Sequence, residues 1–348
     1  MAVLVTGSTG FIAQHIVKLL LSKGYDVIGT VRLDAKGEKL LKNTAAVGPG
    51  KFSYEIVPDM VQKGAFDAVF RNHPEISVVL HTASPFLLDT TDYEKDLIIP
   101  AVEGTSNILG AIKAHVDAGA TNIKRVVVTS SDAAIYSCKD EGDPSLSFDE
   151  SLWNNTTHEE ALSGDAMNAY YYSKACAEKL AWTFAEKPNF PPMTVVNPVF
   201  VFGPQAFDAD VSLTLNLSNE TLNQVLKAGP DGEWENDMGG FIDVRDIARA
   251  HLAAFEQENT VGKRLYMTNG QFSVQMVLDI LNSQVPQLKG QIPVGKPGLG
   301  PSDILALAKT NNDATRNLLG FEFVPLDRCV IDVVNQVKGF KTYSKSVL

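Results

Sequence analysis

A short apolar strand, Val3-Leu4-Val5, runs straight into Thr6-Gly7-Ser8-Thr9-Gly10-Phe11-Ile12-Ala13, and this junction limits what the chain can become. Gly7 and Gly10 lack a Cβ, so the backbone can turn sharply and a ligand can approach it closely. Ile12, Ile16, Leu19 and Leu20 then recur at helical spacing, which gives the next element one buried face. Gly24 ends it, and a second apolar run, 27–31, leads to Arg32. Glycines alone are weak evidence, because a strand–turn–helix can use them with no ligand. The strand before, the helix after and the second strand at the right distance favour a βαβ unit that binds phosphate. There an anion meets unpaired N–H groups and the positive end of the helix dipole. Gly7, Thr9, Gly10, Phe11 and Ile12 are therefore expected to hold a dinucleotide. The spacing Gly-x-x-Gly-x-x-Ala has one more residue between its first two positions than the usual NAD fingerprint.

The residue after the second strand discriminates between cofactors. An acidic side chain there would bind a ribose 2′-hydroxyl, and a basic one suits a 2′-phosphate. Arg32 stands at that place and Lys36 follows it, so NADP(H) is the expected cofactor.

With 348 residues the chain suits one large or two modest domains. Such a length buries enough surface to need no disulfides. The three cysteines, Cys138, Cys176 and Cys329, are far apart and lack metal-ligand spacing, so free thiols in a reducing compartment are expected and no metal. The first strand begins at Ala2, which leaves no room for a signal peptide, and no apolar run is long enough to span a bilayer. The cytosol is the expected compartment. A formal charge of −11 argues against nucleic acid as a partner. The expected partner is a small molecule, and the chain is read as a monomer or homodimer.

Strand-like runs at 53–57, 78–81, 125–129 and 193–196 continue the first two, with helical patterns between them, clearest at 92–115 and 168–185. Such alternation predicts an α/β fold, a Rossmann-type doubly wound parallel sheet. Ligands of these sheets sit beyond the carboxyl ends of the strands. That rule points to Asp59, to 82–86, to 130–132 and to 197–200. After about residue 198 Gly and Pro become frequent, and helices are expected near 215–226, 244–255, 273–282 and 329–337. The expected division is a dinucleotide-binding domain at 1–197 and a smaller substrate domain at 198–348, with about 240–256 packing back on the first.

Tyr170-Tyr171-Tyr172-Ser173-Lys174 carries the chemistry. On a helix Tyr170 and Lys174 share one face. An ammonium there is expected to lower the phenol pKa from about 10 and make it a better proton donor. Tyr171 and Tyr172 have no lysine one turn on and read as packing residues. Thr129-Ser130-Ser131 ends a strand, where a hydroxyl could hold a carbonyl, although turn chemistry explains such a serine equally well. No histidine reads as catalytic, and Asp243 reads as a helix cap.

Together these features resemble the extended short-chain dehydrogenases/reductases, nearest to the yeast NADPH-dependent methylglyoxal/isovaleraldehyde reductases and fungal carbonyl reductases, with plant dihydroflavonol and cinnamoyl-CoA reductases further off. The likeness runs through 5–15, Val57-Pro58-Asp59, 80–86, 129–131, 168–170, 197–205 and 241–246. It implies NADPH-dependent reduction of an aldehyde or ketone. In it Ser131, rather than Ser130, would hydrogen-bond the carbonyl. Tyr170 would give the proton, and Lys174 would bind the nicotinamide ribose. Arg32 and Lys36 would clamp the 2′-phosphate, Asp59 would meet the adenine, and Thr82, Ala83, Ser84, Pro198 and Val199 would line the cofactor. Phe86, Tyr136, Met167 and Phe200 would shape the substrate pocket. Related reductases usually carry an aromatic residue where this chain has Asp132. A carboxylate beside an apolar pocket is costly unless solvated or paired, so Asp132 is expected to turn outward and widen the pocket, the other reading being a preference for polar or cationic substrates. A nucleotide-sugar epimerase or dehydratase holding NAD, and a non-catalytic NADP sensor, are the competing readings.

Overall fold

The computed structural model describes residues 1–84, 89–212 and 215–339. Twelve strands are described: β1 (Ala2–Thr6), β2 (Asp26–Val31), β3 (Phe52–Ile56), β4 (Ile76–His81), β5 (Arg125–Thr129), β6 (Ser147–Phe148), β7 (Met193–Pro198), β8 (Phe200–Phe202), β9 (Met238–Asp243), β10 (Arg264–Met267), β11 (Gln271–Ser273) and β12 (Lys309–Thr310). The described α-helices are α1 (Phe11–Ser22), α2 (Asp34–Thr44), α3 (Asp67–Asn72), α4 (Ile99–Asp117), α5 (His158–Ser163), α6 (Ala166–Ala185), α7 (Leu217–Ala228), α8 (Val244–Glu256), α9 (Val274–Gln284), α10 (Gly300–Asp303), α11 (Asp313–Leu319) and α12 (Leu326–Lys338). A π-helical turn, Glu94–Ile98, leads into α4.

Seven strands form one parallel sheet in the order β10-β7-β5-β4-β1-β2-β3. Both faces are covered, which is why the central strands read as unbroken apolar runs: every residue of β1 and of β7 is buried. The winding reverses between β1 and β4, and a crevice opens beyond their carboxyl ends. Thr6 pins its two walls together. Its Oγ1 accepts the N–H groups of Thr82 and Ala83, each at 3.1 Å, so its proton faces His81 Nδ1 at 2.8 Å.

β10 was not anticipated. Four residues flanked by turns give little periodicity, and pairing with β7 is what makes them a strand. Helix α8 lies against α1, on the face that the Ile16 stripe buries. Helix α8 and strand β10 thus pack with the main sheet although both follow the division expected at 197/198. The remaining part gathers α7, α9 and α12 around Phe202, Phe241 and Phe272, behind the three-stranded sheet β11-β9-β8. Asp243 caps α8 by accepting from Arg245 N at 2.8 Å, as its position suggested. Among the described residues no helix is long and apolar enough to cross a membrane.

Candidate active site

Gly7 lies at φ 63°, the left-handed region that favours glycine. A Cβ there would stand 3.0 Å from Ala83 Cα, across the crevice. Gly10 caps α1 with extended backbone, no side chain bonds the first turn, and that turn holds no acidic residue. The helix therefore presents bare N–H groups to the cleft. This cleft, about 340 Å³, is lined by Gly7, Thr9, Gly10, Arg32, Lys36, Val57, Met60, Thr82, Ala83 and Ser84 among others. Arg32 follows β2 directly and Lys36 lies in the first turn of α2, both solvent-exposed and on the same wall. A glycine cradle, an open helix N-terminus and two cations fit a dinucleotide carrying an extra phosphate. Asp59 does not line the cleft. It is exposed and accepts from Val61 N at 2.9 Å, while Val57 and Met60 form that wall.

A second cleft, about 370 Å³, shares Gly10, Thr82 and Ser84 with the first, so the two form one groove. Phe11, Ile12, Pro198 and Val199 line it, together with Ser131, Asp132, Met167, Tyr170, Lys174 and Phe200. β5, α6 and the β7–β8 turn thus deliver to one place groups that lie far apart in sequence. Asp165 starts α6 by accepting from Asn168 N at 2.9 Å, which sets Tyr170 and Lys174 on the cleft face. Lys174 Nζ donates to Ser84 Oγ at 2.6 Å and lies 5.5 Å from the Tyr170 ring centre. Burial brings the ammonium down to about 8. The expected lowering of the Tyr170 phenol does not appear. Burial pushes it up to about 12, and the Asp132 charge acts the same way. The ammonium faces the ring and Ser84, and desolvation wins.

Ser130 and Ser131 point to different tasks. Ser130 Oγ donates to the buried Glu178 Oε2 at 2.6 Å. Ser131 is hydrogen-bonded to the Tyr170 hydroxyl, and its own proton goes to Asp132 Oδ1 at 2.8 Å. Two expectations need correction here. Asp132 does not turn outward: it is only 8% exposed and lines the cleft with its carboxylate bonded by neighbours. Tyr136 does not line the pocket. It packs behind Asp132, stacked on Phe148 with ring centres 4.1 Å apart, and donates to Asp132 Oδ2 at 2.5 Å. Phe86 lies outside the described residues.

Sequence reasoning missed several contributors. Tyr171 lines the cleft as well as packing, and Asn216, Leu217 and Ser218, at the start of α7, form its opposite lip. Glu178 is fully buried and gathers Arg264 Nε at 2.5 Å, Asn197 Nδ2 at 2.6 Å and Ser130. Asn197 Nδ2 also donates to Ser131 O at 3.0 Å, so this cluster braces the serine corner from below. Its only signal in the sequence was a charged residue on the inner face of α6.

The profile of the NAD dependent epimerase/dehydratase family matches residues 3–267. The chain belongs to this family. It is a member of the extended short-chain dehydrogenases/reductases, as its motifs implied. It is 47% identical over 346 residues to the NADPH-dependent methylglyoxal reductase of Saccharomyces cerevisiae, covering 98% of this chain and 99% of that one. It is 35% identical to a ketoreductase of Aspergillus niger, over 96% of this chain and 97% of that one. Its fold superposes on the crystal structure of yeast methylglyoxal/isovaleraldehyde reductase complexed with NADPH, with a TM-score of 0.91, 46% identity and coverage of 98% and 99%.

Proposed function

We propose that this protein reduces aldehydes or ketones to alcohols with NADPH. The observation that carries the reading is the continuity of the groove. The glycine cradle with Arg32 and Lys36 at one end leads without interruption to Ser131, Tyr170 and Lys174 at the other. The reduced nicotinamide would supply hydride to the carbonyl carbon. Gly7, Gly10 and the first turn of α1 would hold its pyrophosphate, and Arg32 and Lys36 its 2′-phosphate. Ser84 and Lys174 would face its ribose.

As charge develops on the carbonyl oxygen, a donor already in place stabilises it without reorganisation. Tyr170 is that donor, and it passes its proton to the oxygen as general acid. Ser131 has one hydrogen, now bonded to Asp132, so it must turn about its Cβ–Oγ bond to assist. Met167, Phe200 and Tyr171 give the substrate end an apolar wall suited to small or branched carbonyl compounds. The cysteines are free thiols, which suits the cytosol as the working compartment.

Consumption of NADPH against a panel of carbonyl compounds, methylglyoxal and branched aldehydes included, tests the reading. Turnover with NADPH well above that with NADH is expected. Purification with tightly held NAD and no carbonyl-dependent turnover would place the chain among epimerases or dehydratases instead.

A further inference from the structure

Asp132 stands where the family resemblance leads one to expect an aromatic ring, and carbonyl reduction by Tyr170 alone gives it no task. Its surroundings are nonetheless specific. Three donors converge on the carboxylate: Ser131 Oγ at 2.8 Å and Ala133 N at 2.9 Å on Oδ1, and Tyr136 Oη at 2.5 Å on Oδ2. A carboxylate only accepts, so three converging donors favour its ionised form, against burial, which raises the carboxyl above its ordinary value. Tyr136 is itself fixed, stacked on Phe148 within the core. Ser131 has a single hydrogen, given to Asp132, and its oxygen is bonded to the Tyr170 hydroxyl. The chain of contacts therefore runs Tyr136, Asp132, Ser131, Tyr170, and it ends in the cleft.

We propose that Asp132 is a positioning residue for the proton donor: its buried carboxylate, held by Tyr136 and Ala133, orients the Ser131 hydroxyl and keeps an anion beside Tyr170. The inference rests on the reductase reading above. A negative charge nearby disfavours the phenolate. The Ser131 hydrogen bond by itself lowers the Tyr170 phenol, and Asp132 competes for the serine proton. Among the other charged groups around Tyr170, Lys174, one turn along α6, favours the phenolate and opposes Asp132, since its hydrogen bond to the neutral Ser84 leaves its charge in place. His81 on β4, beside Lys174, is held neutral by burial, which takes it to about 3. Tyr171 is bonded to Glu141 at 3.4 Å, and burial raises that carboxyl to about 7, so it too is an anion in alkali. Tyr136 and, on β10, Tyr266 lie in the field of Asp132 and are themselves raised by burial.

The test measures kcat/KM for NADPH-dependent reduction of a simple aldehyde by the full chain, and for NADP-dependent oxidation of the matching alcohol, across neutral and alkaline pH. In Asp132→Asn the alkaline limb of reduction should move down by about one pH unit. The acid limb of oxidation should move the same way, because both limbs report the Tyr170 proton. Asp132→Glu restores the charge and should return both limbs at least halfway. Asp132→Ser is a second neutral variant should the asparagine variant fail to fold. Limbs that stay in place in a folded neutral variant of an active enzyme overturn the role of Asp132 alone. A wild-type chain without carbonyl-dependent NADPH turnover overturns the reductase reading, and this inference with it.

Discussion

The glycine turn and the Ser131–Asp132–Tyr170 corner bound the same groove, but they are made of different material. The turn uses backbone from one short stretch, where a Cβ added at Gly7 would stand 3.0 Å from Ala83 Cα, with exposed cations at its far wall. The corner uses side chains from the segment after β5 and from α6, with Ser131 and Asp132 buried, Tyr170 half-buried, and the three joined by hydrogen bonds. A phosphate is recognised by a fixed curve of N–H groups and by charge that solvent can reach. A proton donor needs a preorganised setting in which burial, neighbouring charges and hydrogen bonds together set its pKa. The first can be built locally; the second requires the fold.

Tyr170→Phe should separate the two regions most sharply. Loss of the general acid is expected to cost about 10²–10⁴-fold in kcat, with NADPH affinity by fluorescence titration unchanged. Comparable loss of affinity would show that the two ends are not independent. Gly7→Val attacks the opposite end: the left-handed backbone costs roughly 1–2 kcal/mol, and contact with Ala83 is added to it. The expected outcome is loss of NADPH binding by at least about 10-fold and a lower Tm, and tight binding by this variant would show that the turn is not the cradle. Arg32→Ala should raise the KM for NADPH by about 10- to 100-fold, the equivalent of one charge-assisted hydrogen bond. The KM for NADH should change little, and equal effects on both would remove Arg32 from the 2′-phosphate.

The smallest effect concerns the buried frame under both regions. His251 accepts from Thr129 at 2.7 Å, donates to Ile247 O at 2.8 Å and is held down to about 4 by burial. Between that value and about 6.5 the unfolded chain binds the proton and the folded chain does not, so stability falls as pH drops through this window. Urea unfolding should lose roughly 1 kcal/mol per pH unit from this residue there. His251→Gln should flatten the slope, and an unchanged slope would assign the acid sensitivity elsewhere.

Much of the fold could be read from the chain because the main sheet is built on continuous apolar strands, separated by helices whose stripes are regular. β10 could not, since four residues become a strand only when β7 offers its free edge. The site divides in the same way. Gly7, Gly10, Arg32, Tyr170 and Lys174 were legible from spacing. Asp132 was misread as outward-facing because the sequence does not show that Tyr136 folds back to satisfy it. The lip at Asn216–Ser218 and the brace at Glu178 carry no local pattern at all.

By itself the sequence determined the βαβ unit, the basic pair Arg32 and Lys36 just past its second strand and the Tyr170–Lys174 pairing on one helical face. Each depends on residues within one or two turns or strands of one another, where covalent geometry dictates who meets whom. Only the tertiary structure decided how that pair behaves. Desolvation above all, then the Asp132 carboxylate, reaches Tyr170 from other segments and raises its phenol against the lowering effect of the Ser131 hydrogen bond.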